Sequence, residues 1–390
     1  MTTKAGASEL FARRFGGGRA PEVISVPGRV NLIGEHIDYH DLAVLPMAVP
    51  RAIRIAYRAR TDGLLRAASG DGYGELELRV EGEHVAGAPG DWGNYVKAAI
   101  LAARSRWRVS RGIEAAVVSD LPPAAGLSSS SALLTGFTLA LLRANGIEPG
   151  FEELMAVLPE GEHFVGTRGG GMDHAAVLAC RAGAALLVEF APVAVTPIAI
   201  PAGWEFLVAH SLVTAEKSGA VREKYNSRRV AGTAGLKRLG YESFREALAS
   251  ASIEELTTRA RSELAGEELL CFLHVAAEAA RVRAAAAALR AADLEEFGGL
   301  LDASHTSLRD QLLISCPELD ALVEAARAAG AVGARLTGAG FGGCAVILCR
   351  QGERSAVRER LARGHYASRR GFDAANHLID AEPSAGALFA

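Results

Sequence analysis

Four consecutive serines at positions 128–131 are the residues of this chain best suited to hold an anion. They follow the proline- and glycine-containing segment 121–127 and precede an apolar run whose large side chains recur at helical spacing. The first N–H groups of a helix have no acceptor within it and carry a partial positive charge, which favours a bound phosphate. A single serine there would be explained as an ordinary N-cap. Four serines after such a turn exceed what a cap needs, and we therefore expect a phosphate-binding turn.

This serine turn contains no Gly-Lys-Ser/Thr sequence and is not a P-loop. Without a lysine, the charge of a nucleotide needs another counterion, for which Mg²⁺ is the usual choice. Mg²⁺ prefers oxygen ligands such as a hydroxyl and a carboxylate. We therefore expect an acidic side chain close to Ser130.

A second group of polar residues lies within segment 29–41, where Arg29, Glu35, His36 and Asp38 are interspersed with apolar residues. An edge strand with one solvated face would show a similar alternation. The Pro-Gly pair before the segment and the His-x-Asp cluster within it favour a binding site instead. Carboxylates accept hydrogen bonds from hydroxyl groups while Arg and His donate them, so the group suits a polyhydroxyl ligand.

Two glycine-rich segments complete the candidate chemistry. Asp173 follows three glycines at 169–171 and a single methionine, at the start of a predicted helix or turn. Glycines allow a ligand to approach the backbone closely, and the helix dipole favours an acid in the first turn, although Asp173 could also be an ordinary N-cap. The segment 338–343 lies between two predicted strands and by itself indicates only a hairpin.

Apolar periodicity predicts the elements that must position these groups. Strands are expected at 23–26, where Pro27-Gly28 would end the strand, and at 44–48, 52–58, 64–68, 75–80, 113–119, 184–190, 205–209 and 345–349. Helices are expected at 92–103, 132–143 and 151–158, and through most of 253–329. Residues 222–229 are most simply a solvated helix face, in which Tyr225 is the one residue suited to contact a sugar. We place the boundary between two domains near residue 200.

The composition is that of a globular protein large enough for two domains, with 390 residues, 49% of them hydrophobic and 22% charged. A net charge of -3 argues against nucleic acid as a main partner. Five cysteines without paired spacing predict reduced thiols in the cytoplasm and no zinc site. No apolar run reaches membrane-spanning length, so we expect no membrane partner.

Three segments together resemble the motifs of galactokinases, which are sugar-1-kinases of the superfamily that also holds homoserine, mevalonate and phosphomevalonate kinases. They are Pro27-Gly28-Arg29-Val30-Asn31-Leu32-Ile33-Gly34-Glu35-His36-Ile37-Asp38-Tyr39, Gly126-Leu127-Ser128-Ser129-Ser130 and Gly338-Ala339-Gly340-Phe341-Gly342-Gly343-Cys344. Their order and spacing match the family over nearly the whole chain. The resemblance implies an α+β, two-domain fold with a left-handed βαβ unit in an N-terminal domain, 1–200. It also implies a C-terminal domain, 201–390, whose tail returns to the first, and an active site in the cleft between them.

The resemblance further implies a role for each candidate residue in the transfer of a phosphoryl group from ATP to C1 of galactose. It makes Asp173 the catalytic base and Arg29 a cation that tunes the base or stabilises the transition state. It assigns Mg²⁺ to Ser130 and Glu162. The remaining roles are sugar binding, by Glu35, His36, Asp38, Gly171 and Tyr225, and ATP-phosphate binding, by Ala124, Ala125, Gly126, Leu127, Ser128, Ser129 and Ser130.

Some positions depart from the family pattern and leave the sugar open. Ile37 stands where galactokinases often have threonine, and with segments 44–49 and 166–173 it resembles the N-acetylgalactosamine kinase branch. His174 stands beside the base, where glutamine is usual. We expect galactose as substrate and N-acetylgalactosamine as the alternative, bound by a monomer or weak oligomer.

Two other functions are disfavoured by the motifs. A non-catalytic sensor of sugar and ATP is a known fate of this family, but here the serine turn has no deletion and Arg29, Glu162 and Asp173 are all present. A homoserine- or mevalonate-type kinase should lack the Glu-His-x-Asp-Tyr cluster.

Overall fold

Two larger β-sheets, one in each half of the chain, form the framework of the fold. The computed structural model describes residues 4–70, 72–122, 125–166, 168–214 and 220–390. In the first half, β1 (Glu22–Ile33), β2 (Leu45–Arg60), β3 (Leu64–Ser69), β4 (Glu75–Arg79) and β5 (Gly112–Ser119) form a sheet in the order β1-β2-β5-β3-β4. β3 pairs with β5 in parallel, whereas the other neighbours in this sheet are antiparallel.

The second half contains an antiparallel sheet that follows a short hairpin. The hairpin consists of β6 (Ala184–Glu189) and β7 (Ala194–Ala199), and β7 is not among the strands expected from the sequence. The sheet consists of β8 (Trp204–His210), β9 (Gly333–Thr337), β10 (Cys344–Arg350) and β11 (Leu378–Asp380), in the order β11-β8-β10-β9. β9 and β10 form the hairpin predicted around the glycine-rich segment 338–343.

Helices cover both sheets. The first half contains α1 (Lys4–Phe15), α2 (Gly93–Arg106), α3 (Ser129–Ala144), α4 (Phe151–Phe164) and α5 (Met172–Ala179). The second half contains α6 (Ala220–Arg238), α7 (Phe244–Ser250), α8 (Ile253–Glu263), α9 (Gly266–Ala291), α10 (Leu294–Asp310), α11 (Pro317–Ala328), α12 (Arg354–Arg363) and α13 (Ala374–His377). Across the ranges that the structure describes, no helix combines the length and apolar character needed to span a membrane.

Helix α3 lies at the centre of the first half and is buried along most of its length. At Gly136 a Cβ would lie 2.7 Å from Cδ1 of Ile55, so the glycine lets the helix approach the sheet closely. The helix begins at Ser129, three residues before its predicted start, and the serines therefore form its first turn. Packing against the sheet thus fixes the position of the serine turn.

Strand β1 does not end at Pro27-Gly28, and the prediction of a strand end there is wrong. It continues to Ile33, with a register shift against β2 between Pro27 and Arg29, and such bulges are positions where a strand tolerates proline. At Gly28 a Cβ would lie 2.8 Å from the carbonyl oxygen of Leu127, so the glycine lets the segment before α3 reach β1. The N–H of Arg29 donates to the same oxygen at 3.1 Å. The bulge therefore places Arg29 beside the serine turn.

Two other predicted boundaries are also wrong. The strands expected at 44–48 and 52–58 are one strand, β2, whose residues pair with β1 along most of its length and with β5 along its second half. The helix expected at 151–158 continues as α4 to Phe164 in spite of Pro159. Beyond Pro159, Gly161 packs closely on α2 and α3, with a Cβ position 3.3 Å from Leu134 and 3.4 Å from Ala102. This extension carries Glu162 to the first turn of α3.

The helix face at 222–229 is not simply solvated, which corrects the sequence-based interpretation. Arg228 is buried on α6, and its guanidinium pairs with Glu267 on α9 at 2.9 Å. The charge of Arg228 therefore lies between helices α6 and α9.

The C-terminal segment 381–390 runs back from β11 to the first half of the chain. Its N–H groups at Gly386, Ala387 and Leu388 donate to carbonyl oxygens at the C-terminal end of α5, those of Cys180, Val177 and Leu178 respectively. The segment thus supports the far end of the helix whose first turn carries Asp173.

Candidate active site

A buried ion pair connects the first polar segment with the acid after the glycines. Nε and Nη2 of Arg29 lie 2.8 and 2.6 Å from Oδ1 of Asp173, and Nη1 donates to the carbonyl oxygen of Gly126 at 2.6 Å. The Ser128 hydroxyl donates to Oδ2 of Asp173 at 2.5 Å. Burial lowers the pKa of Arg29, but Asp173 and neighbouring carboxylates outweigh it and hold that pKa above its ordinary value. A permanent cation therefore contacts both the acid and the serine turn.

Local backbone geometry directs these side chains toward each other. Ser128 precedes α3 in a left-handed conformation, with φ of 58°, and its side chain does not cap the helix. Gly171 precedes α5 with φ of 105°, so the helix starts at Met172 and Asp173 lies in its first turn. Neither Ser128 nor Asp173 is therefore an ordinary N-cap, because the side chains bond to each other instead.

Glu35 lies in the turn that follows β1 and is fixed by both halves of the chain. Its Oε2 accepts from Nδ2 of Asn31 at 2.8 Å, and its Oε1 accepts from the N–H of Gly338 at 2.6 Å. Burial raises the pKa of Glu35 above its ordinary value, against the lowering effect of Arg335 and Arg29. The carboxylate orientation is therefore set by protein contacts.

Asp38 lies in the same turn, against the glycine segment 169–171. Its Oδ2 accepts from the N–H groups of Gly170 and Met172 at 3.0 and 3.4 Å. A Cβ at Gly170 would lie 2.2 Å from the backbone carbonyl carbon of Asp38, so glycine is required for this contact. Burial, with a contribution from the charge of Asp173, raises the pKa of Asp38 to about 6.

His36 connects the turn to the hairpin of the second half. Its Nδ1 lies 2.9 Å from the Tyr39 hydroxyl and its Nε2 lies 3.2 Å from the carbonyl oxygen of Ala339. The Tyr225 ring lies 4.8 Å from the His36 ring. Burial lowers the pKa of His36 to about 3, so the imidazole is neutral at physiological pH.

One cavity brings together the residues predicted for the base, its cation and the sugar. Seven of them, Arg29, Glu35, His36, Asp38, Gly171, Asp173 and Tyr225, line it. The other residues of its wall are Glu162, Gly169, Met172, His174, Gly338 and Ala339.

Glu162 contacts the serine turn, but its partner there is Ser131 and not Ser130, the residue predicted to share a metal with it. Its carboxylate accepts a hydrogen bond from the Ser131 hydroxyl and lies 3.7 Å from Nε2 of His174. The Ser130 side chain is hydrogen-bonded to Tyr95 of α2. No cluster of three or more His, Cys, Asp or Glu side chains suited to a metal occurs in the described part of the chain. A metal at Glu162 would thus need further oxygens from a ligand, as Mg²⁺ bound with nucleotide phosphates does.

The rest of the predicted phosphate-binding segment lies at the opening of α3. Ala125 and Leu127 are buried, Gly126 has φ of 76°, and Ser129 and Ser130 are half-buried on the first helical turn. Ala124 lies outside the described residues. The segment therefore supplies mainly backbone groups and helix-terminal N–H groups.

The sequence did not single out two buried charges of the second half that hold the end of β1 and the turn after it. Arg335 of β9 donates to the carbonyl oxygens of Asn31 and Leu32 at 3.2 and 2.9 Å. Glu278 of α9 accepts from the N–H of Gly34 at 3.0 Å. For Arg335 the available signal was a single charge inside a short buried strand, whereas Glu278 lies at i,i+3 spacing from Arg281 and resembles an ordinary helix ion pair.

Family models match three parts of the chain. Residues 9–59 match the galactokinase galactose-binding signature, residues 94–181 the N-terminal domain of GHMP kinases, and residues 285–367 the C-terminal domain of GHMP kinases. The first match covers the turn with Glu35 and Asp38, and the second covers the serine turn and Asp173.

The chain is also similar to complete proteins over most of their length. A galactokinase of Roseiflexus sp. (strain RS-1) is 35% identical over 88% of this chain and 87% of its own, and one of Streptomyces coelicolor is 35% identical over 95% of each. The crystal structure of Lactococcus lactis galactokinase complexed with galactose superposes with a TM-score of 0.87, at 27% identity and 97% coverage of both chains. L. major mevalonate kinase in complex with R-mevalonate shares the fold, with a TM-score of 0.61 at 21% identity, covering 94% of this chain and 97% of its own.

The raised pKa of Asp38 predicts a pH-dependent effect of Asp38→Asn on stability. Because the pKa is about 6 in the folded chain and near 3.9 in an unfolded one, the protonated acid stabilises the fold below pH 4. That contribution is lost as the pH rises through 6, where the buried acid ionises. Asparagine keeps an oxygen for both N–H groups without the charge. Asp38→Asn should therefore have a higher Tm than the parent at pH 7.5, with the difference shrinking toward pH 4.5.

Asp41→Asn is the matched control, because Asp41 is exposed in the same segment. Its Tm should follow the parent at every pH in a calorimetric series. If Asp38→Asn lowered Tm by the same amount at pH 4.5 and pH 7.5, the proposed buried ionisation would be wrong.

Proposed function

The chain belongs to the galactokinase family, and on that premise we propose that it transfers the γ-phosphoryl group of ATP to the anomeric hydroxyl of galactose. One observation supports the proposal most strongly. Asp173 lies in one cavity with the hydroxyl-binding groups Glu35 and Asp38, and its carboxylate is bonded to Ser128 of the serine turn. A sugar bound in that cavity would have its reacting hydroxyl between the acid and the phosphates.

Asp173 acts as the base in this proposal. Beside the permanent cation Arg29 it is kept as a carboxylate, which can accept the proton of the anomeric hydroxyl. Phosphoryl transfer passes through a loose transition state that needs little activation of the nucleophile, so alignment of the hydroxyl matters as much as removal of its proton. The contacts of Asp173 with Arg29 and Ser128 fix the carboxylate for both tasks.

The serine turn binds the phosphates of ATP in this proposal. The N–H groups of Ser129 and Ser130 open α3 and favour an anion, and Gly126 lets the backbone turn toward it. We assign Mg²⁺ to the Ser130 hydroxyl and the Glu162 carboxylate, whose hard oxygens suit it. Glu162 fits this role because it lines the cavity and already contacts the first turn of α3 through Ser131. When bound with ATP, the metal would neutralise charge on the phosphates.

Asp38 and Glu35 are proposed to select the sugar. A buried acceptor that loses its hydroxyl partner costs binding free energy. A carboxylate that accepts from one sugar hydroxyl therefore rejects the epimer in which that hydroxyl points the other way. N-acetylgalactosamine is a second candidate because a Cβ at Gly169 would meet no atom closer than 3.9 Å, in Glu162 and Tyr225. This space beside the sugar residues supports a poorer reaction with the bulkier substrate.

We also propose that the enzyme works in the cytoplasm, with sugar and ATP as its partners. The five cysteines are all unpaired, as expected for a protein kept in a reducing compartment.

Turnover of a panel of sugars with ATP tests the function. Galactose, N-acetylgalactosamine and glucose are compared by ADP release, and ³¹P NMR identifies the phosphorylated position. Galactose 1-phosphate should form with the highest kcat/KM, N-acetylgalactosamine should react more slowly, and glucose should be worse by on the order of 10³-fold or more. A higher kcat/KM for N-acetylgalactosamine would reverse the substrate preference, and efficient use of glucose would refute the role of Asp38.

Magnesium titrations test the metal assignment separately. Ser130→Ala and Glu162→Gln each weaken one oxygen ligand, so the Mg²⁺ concentration for half-maximal rate should rise by about tenfold or more. Calorimetric affinity for galactose should change little. Glu152→Gln, on an exposed position of the same helix as Glu162, is the control and should leave the titration unchanged. The assignment would be abandoned if both variants kept the parent's Mg²⁺ dependence.

A further inference from the structure

The Tyr39 hydroxyl contacts one ring nitrogen of His36 from outside the cavity. Tyr39 is buried in the short 3₁₀ turn Asp38–His40, does not line the cavity, and places its hydroxyl oxygen 2.9 Å from Nδ1 of His36. The other nitrogen, Nε2, lies 3.2 Å from the carbonyl oxygen of Ala339, which belongs to the cavity wall. Each ring nitrogen of His36 therefore has its own partner. Nδ1 contacts Tyr39 outside the cavity, and Nε2 contacts Ala339 in the cavity wall.

These two partners determine the tautomer of His36. A carbonyl oxygen only accepts hydrogen bonds, so Nε2 must carry the proton to bond with Ala339. A neutral imidazole then has a lone pair on Nδ1, which accepts from the Tyr39 hydroxyl. Burial lowers the pKa of His36 to about 3, and burial together with the charge of Asp38 raises that of Tyr39 well above its ordinary value. At physiological pH the imidazole is therefore neutral and the phenol keeps the proton that it donates.

Two tyrosine rings pack against the His36 ring and restrain it. The ring centroids of Tyr39 and His36 are 5.7 Å apart with planes at 88°, and Tyr225 lies 4.8 Å from His36 on the cavity side. His36 also has φ of 62°, an uncommon conformation for a residue other than glycine, which surrounding contacts must maintain. The carbonyl oxygen of Ala339 selects the nitrogen that carries the proton, and the hydroxyl of Tyr39 supplies the donor that the other nitrogen then needs.

We propose that Tyr39 is a positioning residue of the sugar site, whose hydroxyl holds His36 as the Nε2–H tautomer and directs that N–H to the cavity edge beside Ala339. This inference rests on the proposed function, because it treats the cavity as a sugar site. A sugar hydroxyl that enters beside Ala339 can share the Nε2–H with the carbonyl oxygen of Ala339 or donate to the second lone pair of that oxygen, and both groups are in fixed positions. Without the Tyr39 hydroxyl, Nδ1 of this tautomer has lost its donor, and the preference for the Nε2–H form depends on the Ala339 contact alone.

Tyr39→Phe removes only the hydroxyl and tests this role by kinetics. The KM for galactose should rise about three- to tenfold, the value of one hydrogen bond, while kcat and the KM for ATP stay within about twofold. Tyr57→Phe is the matched control, because Tyr57 is also buried and its hydroxyl donates to Glu22 at 2.8 Å, away from the cavity. It should leave the KM for galactose unchanged. An equal rise in both variants, or in neither, would overturn the role of Tyr39.

The tautomer itself is measured by ¹⁵N NMR of the full chain with labelled histidine. Ten histidines contribute, and the spectrum of His36→Asn identifies the His36 signals by their loss. In the parent, His36 should show a protonated Nε2 and an unprotonated Nδ1, and in Tyr39→Phe the two shifts should move toward each other. An Nδ1–H signal in the parent would refute the proposal even if the variant could not be purified. Galactose phosphorylation by the parent tests the function independently, so failure of either claim is recognised separately.

Discussion

The ion pair between Arg29 and Asp173 is the contact on which the arrangement of the site depends. The two residues are 144 positions apart, and a further hydrogen bond from Arg29 reaches the carbonyl oxygen of Gly126, just before the serine turn. Their side chains are only 4% and 15% exposed, and charges so far from water are tolerated when they are paired. Loss of Arg29 would remove the cation that contacts the buried Asp173 carboxylate, whereas the charge of Arg29 is also offset by Glu35 and Asp38. Strand β1, the opening of α3 and the first turn of α5 are therefore held in one geometry.

A second group of buried charges, from the other half of the chain, supports the turn that carries Glu35 and Asp38. Burial raises the pKa of Glu278, but Arg281, His274 and Arg335 outweigh it and bring that pKa to about 2. The ionised Glu278 accepts from Gly34 in the turn after β1. Both halves of the chain thus determine where the side chains of this turn lie. Asp173 and the turn with Glu35 and Asp38 line the same cavity, and Arg29 lies within the electrostatic reach of all three acids.

Features contained within one segment could be predicted from the sequence, whereas contacts between segments could not. The serine turn and its helix follow from apolar periodicity after a Pro/Gly segment. The bulge at Pro27 does not, because it depends on the carbonyl oxygen of Leu127, which approaches from a distant segment. For the same reason Ser128 was expected only near phosphate, although its hydroxyl is bonded to Asp173. The segment 338–343 alone indicated a hairpin, and only the family resemblance pointed to a contribution from it.

The most direct test of this account is the single-turnover rate of phosphoryl transfer by Asp173→Asn, measured together with its calorimetric affinity for galactose. Asparagine keeps the size and one oxygen of the acid but cannot accept the proton of the anomeric hydroxyl. The account predicts a rate lower by about 10²- to 10⁴-fold, with a Kd for galactose within a few-fold of the parent's. A rate close to the parent's, with galactose bound normally, would contradict it, because Asp173 would then not be the base.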